Sequence, residues 1–274
     1  MKQFILDAGP DRNNQVRLEG DDYRYLVKVR RLARGEFFPA ALPNGAKISV
    51  RVLSAANGVL TGKCFFDDKI DETGGATGGD NAPEANSQTP PLILFQALPK
   101  GEKMDLIVRQ AAESGIAEIV PFVSEFSVAK PRAGKEKYSR WERIIKEARQ
   151  QSGSKTATII RPPVRLNELL DYWKKMNEAE AALGLIFHHQ RGLEQKSLHS
   201  YLDNNARAVV LAVGPEGGFS EREVPVFLEN GFKALTIGDT ILRTETAALY
   251  FAAAIKVILL EKNSWELKQP EGSV

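Results

Sequence analysis

Residues 208–223 read AVVLAVGPEGGFSERE, a continuous apolar run followed by a glycine-rich segment and then a polar one. A short apolar run bounded by turn residues predicts a strand buried on both faces, as in parallel sheets. Ser220 and Glu223 have the spacing of a capping box, which predicts the start of a helix. The stretch therefore predicts a strand, a loop and a helix in that order, the repeating unit of an α/β fold.

The same alternation of strands and helices runs from residue 92 to residue 262. Strands are predicted at 92–98, 117–123, 158–160, 181–187, 208–213 and 234–237, and helices at 103–114, 138–151, 166–173, 221–230 and from 244 onward. Alternating elements favour a mostly parallel sheet covered by helices on both faces. The fold class predicted for this part of the chain is therefore α/β.

The first 70 residues have a different pattern, with short β-rich runs between turns. Two of these runs lie within KISVRVLSAANGVLTGKCFF (47–66) and are joined by Asn57-Gly58, a dipeptide typical of tight hairpins. A small β-barrel is predicted here. The stretch that follows, DETGGATGGDNAPEANSQTPP, offers almost nothing for a core to bury. The predicted organisation is a barrel at 1–70, a linker at 71–91, a second domain at 92–262 and a tail at 263–274.

Composition limits the classes of function. The 274 residues carry a formal net charge of only +2, so any affinity for nucleic acid must come from a local cluster of cations. A single cysteine, Cys64, excludes a disulfide framework and a cysteine-based zinc site, and we expect no metal. The start does not resemble a signal peptide, and the apolar run 247–260 is short for a membrane span. We expect a cytoplasmic protein without membrane contact.

A local cluster of cations occupies residues 23–34, YRYLVKVRRLAR, a stretch without acids. Its cations are Arg24, Lys28, Arg30, Arg31 and Arg34. Interleaved with Tyr23 and Tyr25, they suit phosphate contacts and base stacking, which indicates RNA binding. A charged helix face exposed to solvent is the other interpretation, and it is the commoner one for a charge run.

Two predicted strand-end loops are candidates for a ligand site, because ligands of open α/β sheets bind beyond the carboxyl ends of the strands. The first is GPEGG (214–218), whose glycines allow close approach of the backbone. It lacks the spacing of phosphate-binding motifs and places Glu216 where an anion would sit. A cationic ligand such as S-adenosylmethionine fits better than ATP or NAD, although a plain glycine-rich turn explains the loop equally well.

The second loop, IGDTILRTETA (237–247), leads into the terminal helix. Thr244 is predicted as the N-cap of that helix, and Glu245 in its first turn would complement the helix dipole. Arg243 is not explained in this way, because a guanidinium ahead of a helix N-terminus meets a repulsive field. We expect a carboxylate or a substrate to compensate its charge.

Several stretches together resemble the ribosomal RNA small subunit methyltransferase E family. They are KGEKMDLIVRQAAESGIAEIVPF (100–122), RWERIIKEARQQSG (140–153), GPEGGFS (214–220), ILRTETAAL (241–249) and YRYLVKVRRLARGE (23–36). The resemblance implies a SPOUT-type methyltransferase with a trefoil knot in its C-terminal domain and a PUA-like N-terminal barrel. It also implies a homodimer formed through the knot domain, and N3 methylation of a uridine in 16S ribosomal RNA, either free or within the 30S particle.

The resemblance also implies roles for individual residues. It places S-adenosylmethionine against the two loops and the strand before the first, at Leu211, Val213, Gly214, Pro215, Glu216, Gly217, Gly218, Ile237, Gly238, Ile241, Leu242, Arg243, Thr246 and Ala247. It also adds Lys100 to the RNA contacts expected of Arg24, Lys28, Arg30 and Arg31. The chain departs from the family pattern at Ser114, Phe126 and Ser154. The family has arginines in place of the last two, so two cations are missing.

Uridine N3 must lose a proton to become nucleophilic, and an arginine suits the stabilisation of the resulting charge. Arg243 is therefore expected to be catalytic, orienting the base and stabilising its anion, with Glu245 or Glu216 helping to position it. Three alternatives are weighed: a non-catalytic RNA-binding or ribosome-assembly protein, a methyltransferase for a different RNA, and a nucleotide-dependent α/β protein. His188 and His189 are expected to be packing or loop residues.

Overall fold

The structure is a computed structural model that describes residues 3–66, 89–128, 135–188, 195–202 and 206–262. The chain divides into two compact units, one comprising Met1–Ala85 with Lys146–Ala157 and the other Asn86–Ile145 with Thr158–Val274. Most of the predicted linker, the whole predicted tail and His189 lie outside the described residues. The domain boundaries drawn from the sequence therefore stay predictions.

The first unit is built on a five-stranded sheet. Its strands are β1 (Phe4–Ile5), β2 (Gln15–Leu18), β3 (Phe37–Ala41), β4 (Lys47–Ala56) and β5 (Val59–Phe66), in the order β1-β3-β4-β5-β2. Neighbouring strands are antiparallel except β1 and β3, which are parallel. The two edge strands do not pair with each other within the described residues. This mixed sheet fits the predicted N-terminal barrel, and its PUA-like identity stays a prediction.

The hairpin between β4 and β5 confirms the turn prediction. Asn57 and Gly58 have φ angles of 53° and 79°, the left-handed values that a two-residue type I′ turn requires. From this turn, alternate residues of both strands point into a core that includes Val50 and Leu60, both fully buried. The remaining residues of the two strands point away from that core.

The second unit contains a seven-stranded sheet in which every pair of neighbouring strands is parallel. Its strands are β6 (Leu92–Ala97), β7 (Glu118–Val123), β8 (Ile159–Ile160), β9 (Val164–Arg165), β10 (Leu183–Phe187), β11 (Val209–Val213) and β12 (Lys233–Leu235). The order is β12-β10-β11-β6-β7-β8, with β9 also beside β7. The α/β fold class is confirmed.

The described residues also form six longer helices, one of which continues from Lys146 onward into the first unit. They are α2 (Lys103–Glu113), α3 (Lys135–Ser152), α4 (Leu166–Glu180), α5 (Leu198–Leu202), α6 (Glu223–Glu229) and α7 (Thr244–Lys262), after a one-turn helix α1 (Gly20–Tyr23) in the first unit. On one face of the parallel sheet, Trp173 of α4 and Phe227 of α6 share a core with Phe95 of β6. α7 contacts β6, β11 and α2. No described helix is long and apolar enough to cross a membrane.

The parallel arrangement brings the loops after β6, β7, β11 and β12 to one edge of the sheet. The chain leaves β6 towards β7, on one side, and leaves β11 towards β12, on the other. β6 and β11 are adjacent, so their two connections diverge at this point. Such a point of divergence in an open α/β sheet opens a crevice in which ligands bind.

Candidate functional site

A buried chain of hydrogen bonds joins the loop at 214–218 to the start of α7. The Thr244 hydroxyl donates to the carbonyl oxygen of Gly214 at 2.6 Å and accepts from Nε2 of Gln96 at 2.9 Å. Gln96 is fully buried in β6, and Thr244 is only 4% exposed. One residue from β6, one from the loop after β11 and the first residue of α7 are thus fixed to one another away from water.

The hydrogen bonds at the start of α7 correct the prediction that Thr244 is the N-cap residue of this helix. The backbone N–H groups of Thr246 and Ala247 donate to the carbonyl oxygen of Arg243, at 2.9 and 2.8 Å, so the helix begins directly after Arg243. The Thr244 side chain turns to Gly214 instead. The physical reason is that the buried Gly214 carbonyl requires a hydrogen-bond donor.

Glu216 is held by the residues at the start of α2. Its carboxylate accepts hydrogen bonds from Nζ of Lys103 at 2.7 Å and from the backbone N–H of Lys100 at 3.1 Å. Burial by itself would raise the pKa of Glu216, but these hydrogen bonds outweigh it and lower the pKa overall. The charge that was expected to favour a cationic ligand is therefore already paired with Lys103.

Close packing explains two glycines of the 214–218 loop. A Cβ atom on Gly214 would lie 2.9 Å from the carbonyl carbon of Gly218, and Gly218 itself has a φ of 70°. A Cβ atom on Gly217 would lie 3.1 Å from the Cβ of Phe126. Phe126, 48% exposed in the loop after β7, is one of the positions that depart from the family pattern. That departure therefore borders the loop predicted to hold the cofactor.

The predicted capping box is confirmed. The backbone N–H of Ser220 donates to Oε2 of Glu223 at 3.0 Å, and the N–H of Glu223 donates to Oγ of Ser220 at 3.2 Å. The other carboxylate oxygen of Glu223 accepts from the backbone N–H of Glu125 at 2.9 Å. The start of α6 thereby anchors the loop after β7 as well as its own.

Arg243 and Glu245 flank Thr244 at the N-terminus of α7. Arg243 is exposed, and no carboxylate of the described residues lies within ion-pair distance of it. Glu245 is half-buried, and its Oε2 is buried without a hydrogen-bond partner in the described part of the chain. The Arg243 guanidinium and one carboxylate oxygen of Glu245 therefore lie beside the Thr244 hydrogen bonds, and neither is paired among the described residues.

The other residues predicted to contact a cofactor differ in exposure. Leu211, Val213, Gly214, Pro215 and Ala247 are buried, Gly218, Ile237 and Leu242 are half-buried, and Gly217, Gly238, Ile241 and Thr246 are exposed. Among described residues, no hydrogen bond joins 237–242 to the 214–218 loop. The connection between the two loops is therefore made by the residue at which α7 begins.

The basic run 23–34 in the first unit continues α1 as a π-helix over Arg24–Val29. Arg24, Lys28, Arg30 and Arg31 are all exposed, as is Lys100 in the second unit. Arg24 forms a 3.1 Å ion pair with Asp21, an acid that lies just before the run. Tyr25 stacks on Phe4, with ring centroids 6.5 Å apart, and Tyr23 packs against the same core. Both tyrosines are half-buried against this core, and the prediction that they stack on bases stays a prediction.

Sequence reasoning missed Gln96, Lys103 and Phe126 as parts of the site. Gln96 had a detectable signal, because it is the lone polar residue of the apolar strand LILFQAL. Lys103 had none, since its partner Glu216 lies far away in sequence, whereas Phe126 was marked as a departure from the family pattern without a place in the site. Among the described residues, no group of three or more His, Cys, Asp and Glu could hold a metal ion.

Comparison with known proteins identifies the class of domain to which this parallel sheet and its strand-end loops belong. A family model described as an RNA methyltransferase domain matches residues 86–256. Ribosomal RNA small subunit methyltransferase E of Aquifex aeolicus (strain VF5) is 36% identical over 169 residues, which are 61% of this chain and 69% of that protein. A relative from Borreliella burgdorferi, ribosomal RNA small subunit methyltransferase E 2, is 28% identical over 96% of this chain and 100% of its own.

Solved structures agree with these relatives. A ribosomal RNA small subunit methyltransferase E from Neisseria gonorrhoeae, bound to S-adenosyl methionine, has a TM-score of 0.74 and 25% identity, over 94% of this chain and 98% of its own. A probable rRNA-methyltransferase from Porphyromonas gingivalis shares the fold, with a TM-score of 0.74 and 22% identity over 96% of this chain and 100% of its own. The chain belongs to the RNA methyltransferase domain family and, within it, to the ribosomal RNA small subunit methyltransferase E family.

Proposed function

We propose that this protein transfers the methyl group of S-adenosylmethionine to N3 of a uridine in 16S ribosomal RNA. The observation that carries the proposal is the hydrogen-bonded junction of Gln96, Gly214 and Thr244 at the carboxyl edge of the sheet. Family membership supports RNA methylation as the reaction. The S-adenosyl methionine bound to the Neisseria gonorrhoeae relative supports the choice of cofactor.

The residues around the junction fit this cofactor. The backbone at Gly214 and Gly218 is packed too closely for a side chain at Gly214, which leaves main-chain groups for contact with a ligand. The unpaired buried oxygen of Glu245 suits a ligand that carries positive charge and hydrogen-bond donors. When bound, S-adenosylmethionine supplies an electrophilic methyl carbon. The remaining residues of the cofactor set named above are proposed as its lining.

Arg243 and Glu245 are proposed to act on the base. Uridine N3 carries a proton, so a group must accept that proton before the nitrogen can attack. We assign the proton acceptor to Glu245, because Glu216 is already paired with Lys103. Arg243 would donate hydrogen bonds to the carbonyl oxygens that share the negative charge of the deprotonated base. The protein otherwise contributes alignment of the two reactants.

We propose that the region around Thr244 forms part of a trefoil knot of SPOUT type. Family membership supports this topology. In the first unit, the mixed sheet is proposed to be a PUA-like barrel whose exposed Arg24, Lys28, Arg30 and Arg31 contact RNA phosphates. Lys100 is proposed as a further RNA contact.

A homodimer through the knot domain is also proposed. On α7, Leu249, Tyr250, Val257 and Leu260 are 37%, 47%, 44% and 45% exposed, and their spacing places them on one side of the helix. The opposite side, with Ile255 and Leu259, is buried. A second copy of the chain would cover the exposed stripe. A ribosomal RNA substrate also supports a cytoplasmic location.

The decisive experiment measures methyl transfer from labelled S-adenosylmethionine to 16S ribosomal RNA that lacks the modification, both free and within 30S particles. We expect label at N3 of one uridine. A protein that binds both cofactor and RNA without transferring label would instead be a non-catalytic RNA-binding protein. Label on another RNA would retain the chemistry and change the substrate.

A further inference from the structure

One face of the sheet in the first unit carries exposed cations and aromatic rings across neighbouring strands. The register pairs Phe37 of β3 with Arg51 of β4, Arg51 with Lys63 of β5, and Lys63 with Gln15 of β2. Residues paired across strands point to the same side of a sheet. Phe37, Arg51, Lys63 and Gln15 therefore form a row across four strands, and all four are exposed.

The next row of the same face adds a second ring. Ser49 of β4 pairs with Phe65 of β5, and the Phe65 ring centroid lies 5.7 Å from that of Phe37. The guanidinium carbon of Arg51 lies 5.8 Å from the centroid of Phe37, over its ring. Phe37 is 56% exposed, so most of this large apolar ring lies outside the core and is accessible to a partner. We call this surface, with Phe37, Arg51, Lys63 and Phe65, the outward sheet face.

The charge of the outward sheet face is positive. Neither Arg51 nor Lys63 has a carboxylate within ion-pair distance among the described residues. A third cation, Arg17 of β2, is paired with Glu19 at 2.5 Å and contributes little net charge. An apolar protein partner would match the two rings but leave both cations unpaired. A polyanion with flat aromatic groups matches both.

We propose that the outward sheet face is a second RNA-binding surface, which stacks single-stranded bases of the substrate on Phe37 and Phe65 and holds their phosphates with Arg51 and Lys63. Rings on the outer face of a β-sheet provide stacking platforms for bases, and here Phe37 is exposed and Phe65 half-buried. Flanking cations hold the backbone without selecting a sequence. This surface differs from the basic run at 23–34, whose two tyrosines are half-buried against the core of the first unit. The inference rests on the proposed RNA substrate.

The test uses the full-length protein and a fluorescent oligouridylate, with binding measured by anisotropy at several salt concentrations. Phe37→Ala and Phe65→Ala should each weaken binding by about fivefold or more. Phe37→Tyr, which keeps an aromatic ring, should bind like the wild type. Arg51→Ala and Lys63→Ala should each lower the slope of log affinity against log salt by about 0.7. Lys174→Ala, which removes an exposed cation from α4, is the matched control and should change neither quantity.

Variants of the outward sheet face that fold normally and bind the oligouridylate like the wild type, with the same salt slope, would overturn the proposal. Methyl transfer to 16S ribosomal RNA is measured in parallel, with the RNA concentration varied. The face variants should raise KM for RNA and leave kcat within about twofold, because the face is proposed to bind rather than react. Wild-type protein that binds through this face but transfers no methyl group would refute the proposed function alone.

Discussion

The Thr244 hydroxyl donates a 2.6 Å hydrogen bond to the carbonyl oxygen of Gly214, and through it the start of α7 holds the loop after β11. Replacing Thr244 with Val keeps the side-chain shape but leaves this buried carbonyl without its donor. We expect Thr244→Val to lower the free energy of unfolding by about 1–3 kcal/mol. The dissociation constant for S-adenosylmethionine should rise about tenfold, because the loop loses its anchor. Calorimetric titration and chemical denaturation measure the two effects.

Thr244→Ser is the control for that substitution, since it retains the hydroxyl and removes only a methyl group. It should recover most of the lost cofactor affinity. A Val variant with wild-type affinity would show that the Thr244 bond does not support the cofactor site.

Arg243 is proposed to act on the base rather than on the cofactor. Arg243→Ala should therefore lower kcat for methyl transfer by about 100- to 1000-fold, as expected for loss of a group that stabilises developing charge. The dissociation constant for S-adenosylmethionine should change by less than about threefold. Arg207→Ala is the control. It removes an exposed arginine just before β11, at the amino ends of the strands and away from the site, and should leave turnover unchanged. Equal turnover in both variants would remove Arg243 from the reaction.

The ion pair between Glu216 and Lys103 predicts a pH dependence. The pKa of Glu216 is lowered in the folded protein from its ordinary value of 4.5, so the folded state favours the ionised carboxylate. The resulting stabilisation is complete above pH 4.5 and is lost as the pH falls through the lower folded-state pKa. We expect Glu216→Gln to lower the free energy of unfolding by less than about 1 kcal/mol, because the pair is partly exposed.

Denaturation of wild type and variant across this pH range measures that difference. It should be constant near neutral pH and shrink below pH 4.5. Glu221→Gln, at an exposed acid a few residues further along, is the control and should show no such window. A difference that grows as the pH falls has the wrong sign for this pair.

The two close-packed glycines should respond differently to a methyl group. Gly214→Ala places a Cβ atom against the backbone of Gly218, which cannot give way, so cofactor affinity should fall at least tenfold. Gly217→Ala meets only the Phe126 side chain. A milder loss is expected there. The double variant Gly217→Ala, Phe126→Gly should recover it, because it removes the Cβ atom of Phe126, while Phe126→Gly should not rescue Gly214→Ala. Titration of Gly214→Ala, Gly217→Ala, Phe126→Gly and the two double variants with S-adenosylmethionine tests this, and rescue of both glycine variants would contradict it.

Local signals in the sequence were sufficient to predict several elements of the two units. The Asn57-Gly58 turn and the Ser220–Glu223 capping box depend on residues within a few positions of one another, so their patterns could be interpreted directly. The continuous apolar run at β11 likewise predicted a strand buried on both faces, and all five of its residues are buried.

Other features depend on contacts that no local pattern encodes. The run at 23–34 has the composition of a charged helix face, yet it adopts a π-helix with Leu26 fully buried. The polar groups of Glu216 and Thr244 look available from the sequence alone. Their partners, Lys103 and Gln96, lie 113 and 148 positions away, so the pairing appears only when the sheet order is known.

The Gln96 to Thr244 bond also bears on when the protein becomes competent during its synthesis. Contacts with large sequence separation form late, because their loop-closure entropy must be overcome before they stabilise the chain. Gln96 and Thr244 are 148 positions apart, so during translation nearly the whole domain must be synthesised before this hydrogen bond can form. A chain that ends before Thr244 would lack this bond and, with it, the junction of Gln96, Gly214 and Thr244 at the site.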